Sequence, residues 1–344
     1  MHSISRMAFG LLVLPLAMAL NLRASEPSFK LQNTWNLGGD GSWDYMAVDP
    51  TAHILYIARL NRIMLVDVKS GKLVNEITGL THAHGIAFDD QGKLGYISDG
   101  GAGRILVFDR ATCKILTTIP SGKNPDAVLF EPSQHRVFAF SGGSHDATVI
   151  DAATNSIITK IPLPGRPEFS VTDGVGNVFV NIEDSSVVLR FNAATLLLTG
   201  SWPLAPGATP SGLAIDTAGH RLFSVCDNNK MVVLDSQNGK LIAAPAIGEG
   251  ADAVVFDPAR KLVFSSNGES GTMTVIRGAA PSGYNTIQTL STKLGARTMA
   301  VDPSSGTVYT VSAALGPKPP ASPSNPKRRP AILPDSFVVL VYSR

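Results

Sequence analysis

The sequence lacks the short motifs that identify the common enzyme classes. It contains no G-x-S-x-G nucleophile elbow, no phosphate-binding loop and no dinucleotide fingerprint in a strand-turn-helix setting. Cysteine is scarce, with 2 in 344 residues, and neither lies in a C-x-x-C or C-x-x-C-H motif. Dithiol redox chemistry and covalent haem attachment therefore find no support, and no nucleotide or haem cofactor is predicted. No catalytic residue can be assigned from a motif.

Long apolar runs are absent after the first two dozen residues, so no membrane span is predicted. Residues 1–24 have the pattern of a signal peptide: MHSISR carries a positive charge, and MAFGLLVLPLAMAL is apolar but too short to cross a bilayer. Small residues around Ala24 suit cleavage, and no cysteine follows that would carry a lipid anchor. We therefore expect cleavage after Ala24 and a periplasmic or secreted protein.

Neither sign of charge is in excess once that segment is removed. Its loss takes away Arg6 and Arg23, which leaves 27 basic and 27 acidic residues. A protein that binds single-stranded nucleic acid needs a basic groove with aromatic side chains on which bases stack. Aromatic residues make up only 7% of this chain and are scattered. Single-stranded DNA binding is therefore an alternative that the composition does not favour.

The sequence contains an internal repeat of about forty residues. A strand-like run that ends in an acidic residue recurs seven times, at Asp49, Asp89, Glu131, Asp173, Asp216, Asp257 and Asp302. A second strand-like run inside the units ends at Asp67, Asp109, Asp151, Asn192 and Asp235 and keeps the same period. Repeats of this length with several short strands are typical of propeller blades. We predict an all-β, seven-bladed β-propeller with four-stranded blades.

The last repeat is incomplete, which predicts how the ring closes. It ends at Arg344 after three strands, whereas FKLQNTWNL, residues 29–37, precedes the first complete unit. We expect this N-terminal strand to complete the last blade and so hide a sheet edge. Residues 25–344 would then form a single domain. A proline-rich, basic loop at residues 316–335 interrupts the last blade.

The repeats resemble those of the YVTN/YncE-like seven-bladed propellers of bacteria across roughly residues 29–344. The resemblance rests on the segments YISDGGAGRILVFD, VFVNIEDSSVVLRFN, RKLVFSSNGESGTMTVI and GARTMAVDP. The Tyr-Val-Thr-Asn tetrapeptide itself is not intact, and YISD at 96–99 and VYTV at 308–311 come nearest to it. The resemblance implies the propeller fold and, for activity, single-stranded DNA binding in the family and dehydrogenase subunits or lactonases among distant relatives. Fold alone does not choose among these functions.

The repeat also predicts a site at the channel mouth, the end of the central channel at which the inner strands begin. The second residue of each predicted inner strand forms what we term the mouth ring: Asp44, His84, Asp126, Glu168, Ser211, Asp252 and Arg297. With a neutral histidine its charge is minus three, which would attract a cation or an amine. The alternative is a structural role in which Arg297 pairs with Asp44 and Asp252 and the other groups satisfy one another.

We expect a non-catalytic binding or scaffold module, monomeric, that takes a small molecule or a protein at this mouth. A divalent metal is a further possibility, with Asp126, Glu168 and His84 as candidate ligands. A metal-dependent hydrolase or lactonase that uses the carboxylates is the enzymatic alternative. The basic cluster Lys327, Arg328 and Arg329 in the inserted loop is a candidate lid over the mouth, although a solvated loop explains it as well.

Overall fold

The structure, a computed structural model, describes residues 28–278, 283–320, 322 and 330–344. These residues form seven sheets of four antiparallel strands each. The predicted all-β propeller with four-stranded blades is thereby confirmed. Blades one to three contain β2 (Met46–Asp49), β3 (Ile54–Arg59), β4 (Arg62–Asp67), β5 (Lys72–Thr78); β6 (Ala83–Phe88), β7 (Leu94–Asp99), β8 (Arg104–Asp109), β9 (Ile115–Pro120); and β10 (Pro125–Glu131), β11 (Arg136–Ser141), β12 (Asp146–Asp151), β13 (Ser156–Pro162).

The remaining four blades repeat this order from the channel outwards. Blades four and five contain β14 (Pro167–Thr172), β15 (Asn177–Ile182), β16 (Val187–Asn192), β17 (Leu198–Pro203); and β18 (Pro210–Asp216), β19 (Arg221–Cys226), β20 (Lys230–Asp235), β21 (Leu241–Ala243). Blades six and seven contain β22 (Ala251–Asp257), β23 (Leu262–Asn267), β24 (Thr272–Arg277), β25 (Asn285–Ser291); and β26 (Met299–Val301), β27 (Val308–Ser312), β28 (Val338–Ser343), β1 (Lys30–Asn36). A short 3-10 helix, Gly100–Ala102, follows β7.

The ring closes as the sequence predicts, because the N-terminal strand β1 is the outer strand of blade seven. It pairs antiparallel with β28 from Lys30 opposite Ser343 to Asn36 opposite Val338. Just before β1, the backbone amide and carbonyl of Phe29 each make a 2.8 Å hydrogen bond to the side-chain amide of Gln288 in blade six. The two ends of the chain therefore share one blade and are tied to its neighbour.

The acidic residues that mark the repeat close the turns between strands. The carboxylate of Asp49 accepts hydrogen bonds of 3.0 Å from the amides of Thr51 and Ala52, in the turn from the inner to the second strand. The second mark acts in the same way: Asp67 accepts a 2.7 Å bond from the amide of Ser70 in the turn from the third to the fourth strand. Aspartate favours such turns because its short side chain reaches the backbone two or three residues ahead. The repeat period in the sequence therefore reflects the regular spacing of these turns.

The apolar core lies between neighbouring blades. Phe264 of blade six packs in one cluster with Leu340 of blade seven, and Tyr96 of blade two shares another with Val137 of blade three. Each blade therefore buries its faces against the next, which lets one domain grow by repetition. No helix among the described residues is long and apolar enough to cross a membrane.

The outer strands carry β-bulges. In blade one, Leu65 pairs with Asn75 and Val66 with Leu73, so Val74 has no partner in the register and is 55% exposed. Corresponding register shifts occur between the third and fourth strands of the other blades. A bulge makes an edge strand a poor template for pairing with another chain.

The inserted loop of blade seven leaves the propeller between β27 and β28 as a short antiparallel pair. The amide of Gly316 donates to the carbonyl of Ala331 at 2.8 Å, and that of Leu333 to the carbonyl of Ala314 at 2.9 Å. The predicted lid residues Lys327, Arg328 and Arg329 lie outside the described residues. The predicted signal peptide, residues 1–24, also lies outside them.

Candidate functional site

Five residues of the mouth ring stand where the repeat places them. His84, Asp126, Glu168, Ser211 and Asp252 are each the second residue of an inner strand: β6, β10, β14, β18 and β22. In each of these strands the first residue pairs with the neighbouring second strand, and regular pairing resumes only two or three residues later. The ring residue therefore lies within a register shift. The five side chains therefore leave irregular backbone at the mouth of the channel.

For Asp44 and Arg297 the predicted strand position is wrong, because β2 and β26 begin two residues later, at Met46 and Met299. Asp44 is held instead by a 3.1 Å bond from its amide to the carbonyl of Ala58, before the regular ladder starts. Arg297 follows a tight turn in which its amide donates to the carbonyl of Gly295 at 2.8 Å. Both side chains nevertheless reach the other ring residues.

Arg297 links the two sides of the mouth. Its guanidinium forms an ion pair with Asp252 of blade six and lies 3.9 Å from the carboxylate of Asp44 in blade one. It also donates a 2.7 Å hydrogen bond to the backbone carbonyl of Trp43. The hydroxyl of Ser211 donates to the second carboxylate oxygen of Asp252 at 2.7 Å. Both oxygens of Asp252 are therefore engaged by the protein itself.

His84 joins the carboxylates of Asp44 and Asp126. Its Nδ1 lies 2.5 Å from Asp44 Oδ2 and 3.7 Å from Asp126 Oδ1. The ring of His82, the residue before β6 begins, lies 4.4 Å from that of His84, centroid to centroid. One ligand atom each from Asp44, His84 and Asp126 fall within 4.8 Å of one another. These three residues are the ones that could hold a metal ion among those described.

Glu168, a candidate metal ligand from the sequence, is not part of that trio. Arg166, two residues earlier, reaches one of its oxygens at 3.1 Å and pairs with Glu183 at 3.0 Å. The side chain of Glu168 is only 11% exposed, whereas that of Arg166 is 47% exposed. Water screens the outer end of this pair, so Arg166 neutralises the buried carboxylate only in part.

The protonation of the ring follows from these contacts. Burial, followed by the negative charge of Asp44, raises the pKa of Asp126 to about 6. Burial and the charge of Asp126 outweigh Arg166 and raise the pKa of Glu168 to about 9. Burial alone would raise the pKa of Asp44, but the hydrogen bond to His84 and the charge of Arg297 lower it. The ring therefore contains carboxyl groups that hold protons at pH values at which exposed carboxylates have lost them.

The pKa of His84 shifts in the direction opposite to that of a buried, isolated histidine. Burial by itself lowers its pKa, but the hydrogen bond with Asp44 and the charges of Asp126 and Asp44 outweigh burial, and the net pKa lies above 6.5. Arg297 and the protonated form of His84 lie on the side of the mouth where Asp44 stands. Arg166 is the cation that reaches Glu168.

An aromatic pair that the sequence reading missed spans the channel below the ring. Tyr45 of blade one and Phe169 of blade four meet edge to face, with ring centroids 5.0 Å apart. They follow Asp44 and Glu168 directly, so they lie one residue further along the channel. The corresponding residues of the other blades are small, which leaves room for the two rings: Gly85, Ala127, Gly212, Ala253 and Thr298. Two large residues among seven aligned positions were the signal in the sequence.

Gly85 shows why these positions are small. A Cβ at this residue would stand 2.7 Å from the carbonyl oxygen of Asp126 and 2.9 Å from the amide of Val128. Neighbouring inner strands therefore approach so closely that a side chain has no space between them. Tyr45 and Phe169 instead project across the channel, and we term this pair the aromatic floor.

Comparison with known proteins gives limited further information. No protein-family model matches the chain. A segment is 32% identical over 102 residues to the "Uncharacterized protein YncE" of Salmonella typhimurium, which covers 28% of this chain and 27% of that protein. The protein of the same name from Salmonella typhi is 31% identical over 102 residues. The chain thus spans little more than a quarter of the length of the curated relatives it matches, and the relationship to YncE proteins is distant.

A solved structure supports the architecture over almost the whole chain. The structure of U3-55K superposes with a TM-score of 0.72 and covers 91% of this chain and 98% of its own, at 12% identity. The fold is a seven-bladed propeller. At this level of identity the likeness extends to the fold alone.

Proposed function

We propose that this protein is a non-catalytic binding module and that its channel mouth binds a cationic group. The observation that carries the proposal is the convergence of four buried or half-buried carboxyl groups on the mouth: Asp44, Asp126, Glu168 and Asp252. The cations of the mouth ring that face them are Arg297 and His84. Arg166 reaches Glu168 at 3.1 Å from outside the ring, whereas among the described residues the one charged contact of Asp126 is His84 at 3.7 Å. A carboxylate left in this position attracts a cation.

The raised pKa values support the same proposal. Asp126, with a pKa of about 6, and Glu168, with a pKa of about 9, are carboxyl groups that the protein does not fully compensate. A bound cation would supply the missing positive charge, and Glu168 would release its proton as the cation enters. Ligand uptake at neutral pH is therefore expected to be coupled to proton release.

The enzymatic alternative receives less support from these residues. A hydrolase or lactonase would use Asp126 and Glu168 as metal ligands or as a general base. With a pKa of about 9, Glu168 holds a proton at neutral pH and cannot accept another. Single-stranded DNA binding is also less supported, because an acidic mouth repels phosphate groups. Export after cleavage at Ala24 and a monomeric state remain parts of the proposal.

The test is the thermal stability of the purified protein, stripped with a chelator and then titrated with Ca²⁺, Mg²⁺, Mn²⁺, Zn²⁺ and n-butylammonium. A ligand that binds only the folded state raises stability by mass action, by about 2.7 kcal/mol at a hundred times its dissociation constant. We expect a saturable rise with at least one of these cations that is lost in Asp126→Asn. Glu269→Gln, which changes an exposed acid outside the mouth ring, is the control. If no cation raises the melting temperature, the proposal is wrong.

A further inference from the structure

The mouth ring and the aromatic floor together form a cup with an acidic rim. Blades one and four are almost opposite in a ring of seven, so the contact between Tyr45 and Phe169 bridges the channel rather than one gap between neighbours. Tyr45 and Phe169 are both only partly buried. A ligand that enters the mouth therefore meets carboxyl groups first and aromatic rings next.

The carboxyl groups of the mouth ring differ in how far their oxygens are already engaged by protein groups. Asp44 is engaged by His84 at 2.5 Å and approached by Arg297, and Asp252 is engaged by Arg297 and Ser211. Asp126 is 9% exposed, and its one charged contact within the described ranges is His84 at 3.7 Å, beyond hydrogen-bond distance. A buried carboxyl group without a close donor points to a donor that arrives with a ligand.

Asp126 and Glu168 stand on consecutive inner strands, β10 and β14, beside Phe169. Tyr45 belongs to the same space, because its ring contacts that of Phe169, the residue after Glu168 in β14, with centroids 5.0 Å apart. Asp126, the oxygen of Glu168 that Arg166 does not reach, and the aromatic floor thus lie beside one another at the mouth. Asp126 also belongs to the metal-suited trio, whose other members, Asp44 and His84, lie on the side where Arg297 supplies positive charge.

We infer that the cation taken by this cup is a primary alkylammonium group, whose N–H donors meet Asp126 and Glu168 and whose charge and carbon stem rest on Tyr45 and Phe169. This inference depends on the proposed function and names its ligand class. An ammonium offers three N–H donors, and aromatic faces attract cations that are partly desolvated. A divalent metal ion would gain nothing from the carbon surface of the aromatic pair.

The experiment measures binding of n-butylammonium by isothermal titration calorimetry, beside Mn²⁺, Zn²⁺ and the neutral analogue 1-pentanol. We expect the ammonium to bind and pentanol not to bind. Tyr45→Leu and Phe169→Leu each remove one aromatic face without altering any charge, and each should weaken ammonium binding about tenfold. The melting temperatures of both leucine variants, measured beside that of the wild type, control for a loss of folding.

The outcomes separate the inference from the proposed function. If Mn²⁺ or Zn²⁺ binds in a manner dependent on Asp126 while butylammonium does not, the inference is overturned and the cation-binding module remains. If ammonium binding is unchanged in both leucine variants, the aromatic floor is not part of the site and the inference also fails. If nothing binds here and neither Ca²⁺ nor Mg²⁺ raises the melting temperature, both are wrong.

The same chemistry occurs in free amines and in lysine side chains, and two further probes distinguish these sources. Cadaverine represents a free diamine, and a short peptide with one central lysine represents a protein partner. Tighter binding of the peptide than of butylammonium, lost when its lysine is replaced by norleucine, would identify the ligand as a basic side chain. Equal or tighter binding of cadaverine would identify a small amine.

Discussion

Replacement of Glu168 by glutamine should remove a large part of the pH dependence of stability. Burial and the charge of Asp126 raise the pKa of Glu168 from 4.5 to about 9 in the folded protein. Between these values the folded state holds one proton that the unfolded state has released. The stabilising contribution of this group is therefore fully present below pH 4.5, decreases as the pH rises, and is lost above about pH 9.

The slope follows directly from linkage. One extra proton in the folded state lowers the free energy of unfolding by about 1.4 kcal/mol for each pH unit. Glutamine keeps the size and the neutral state of the protonated side chain but cannot ionise. We therefore expect the free energy of unfolding of Glu168→Gln to fall less steeply with pH than that of the wild type, by about this slope between pH 6 and 8. At pH 8 the variant should be the more stable of the two.

The assay is urea unfolding at pH 6, 7 and 8, followed by tryptophan fluorescence. The control is Glu269→Gln, which removes an exposed acid outside the mouth ring and leaves Glu168, Asp126 and Arg166 in place. That variant should keep the slope of the wild type. Equal slopes for the wild type and Glu168→Gln would refute the reasoning, because Glu168 would then ionise alike in both states.

Three further predictions concern the fold. Arg59→Met should lower the free energy of unfolding, measured in urea, by about 3 kcal/mol. The reason is that the buried guanidinium donates to three backbone carbonyls and stacks 3.7 Å from the ring of Phe337. A loss below about 1 kcal/mol would contradict this. Removal of residues 29–37 should lower the melting temperature by about 5 °C or more, since β28 would become an unprotected edge; an unchanged melting temperature would disprove the shared blade. Ellman's reagent should modify Cys113 but not Cys226 in the native protein, since burial raises the pKa of Cys226 to about 12; two reactive thiols before denaturation would count against it.

The number of blades and the closure of the ring could be predicted because they depend on local chemistry. Each repeat is marked by acidic residues such as Asp49 and Asp67, and these residues close turns by bonding amides only two or three positions ahead. A local interaction leaves its mark in the sequence at a fixed spacing. The missing fourth strand of blade seven could likewise be counted, and β1 supplies it.

The site could be predicted only as a set of positions. A repeat superimposes equivalent residues around one axis, so the period predicts Asp126, Glu168 and Asp252 together at the mouth, and each is the second residue of its inner strand. Which residues pair across that axis depends on strand boundaries and on side-chain direction, and these are not periodic. Asp44 and Arg297 therefore stand two residues before their strands, and Glu168 pairs with Arg166 instead of joining a metal trio.

The residues that break the repeat carry the most specific information about the ligand. The acidic rim is shared by most blades, so it explains only why a cation is attracted. Tyr45 and Phe169 depart from the small residues that the inner strands otherwise have at this position, and they do so in blades that face each other across the channel. A propeller that needed only an open channel, or only a metal held by carboxylates, would have no use for two rings there. The pair gives the mouth a floor that favours a cation with carbon attached, and this asymmetry is the reason to test an amine before a metal.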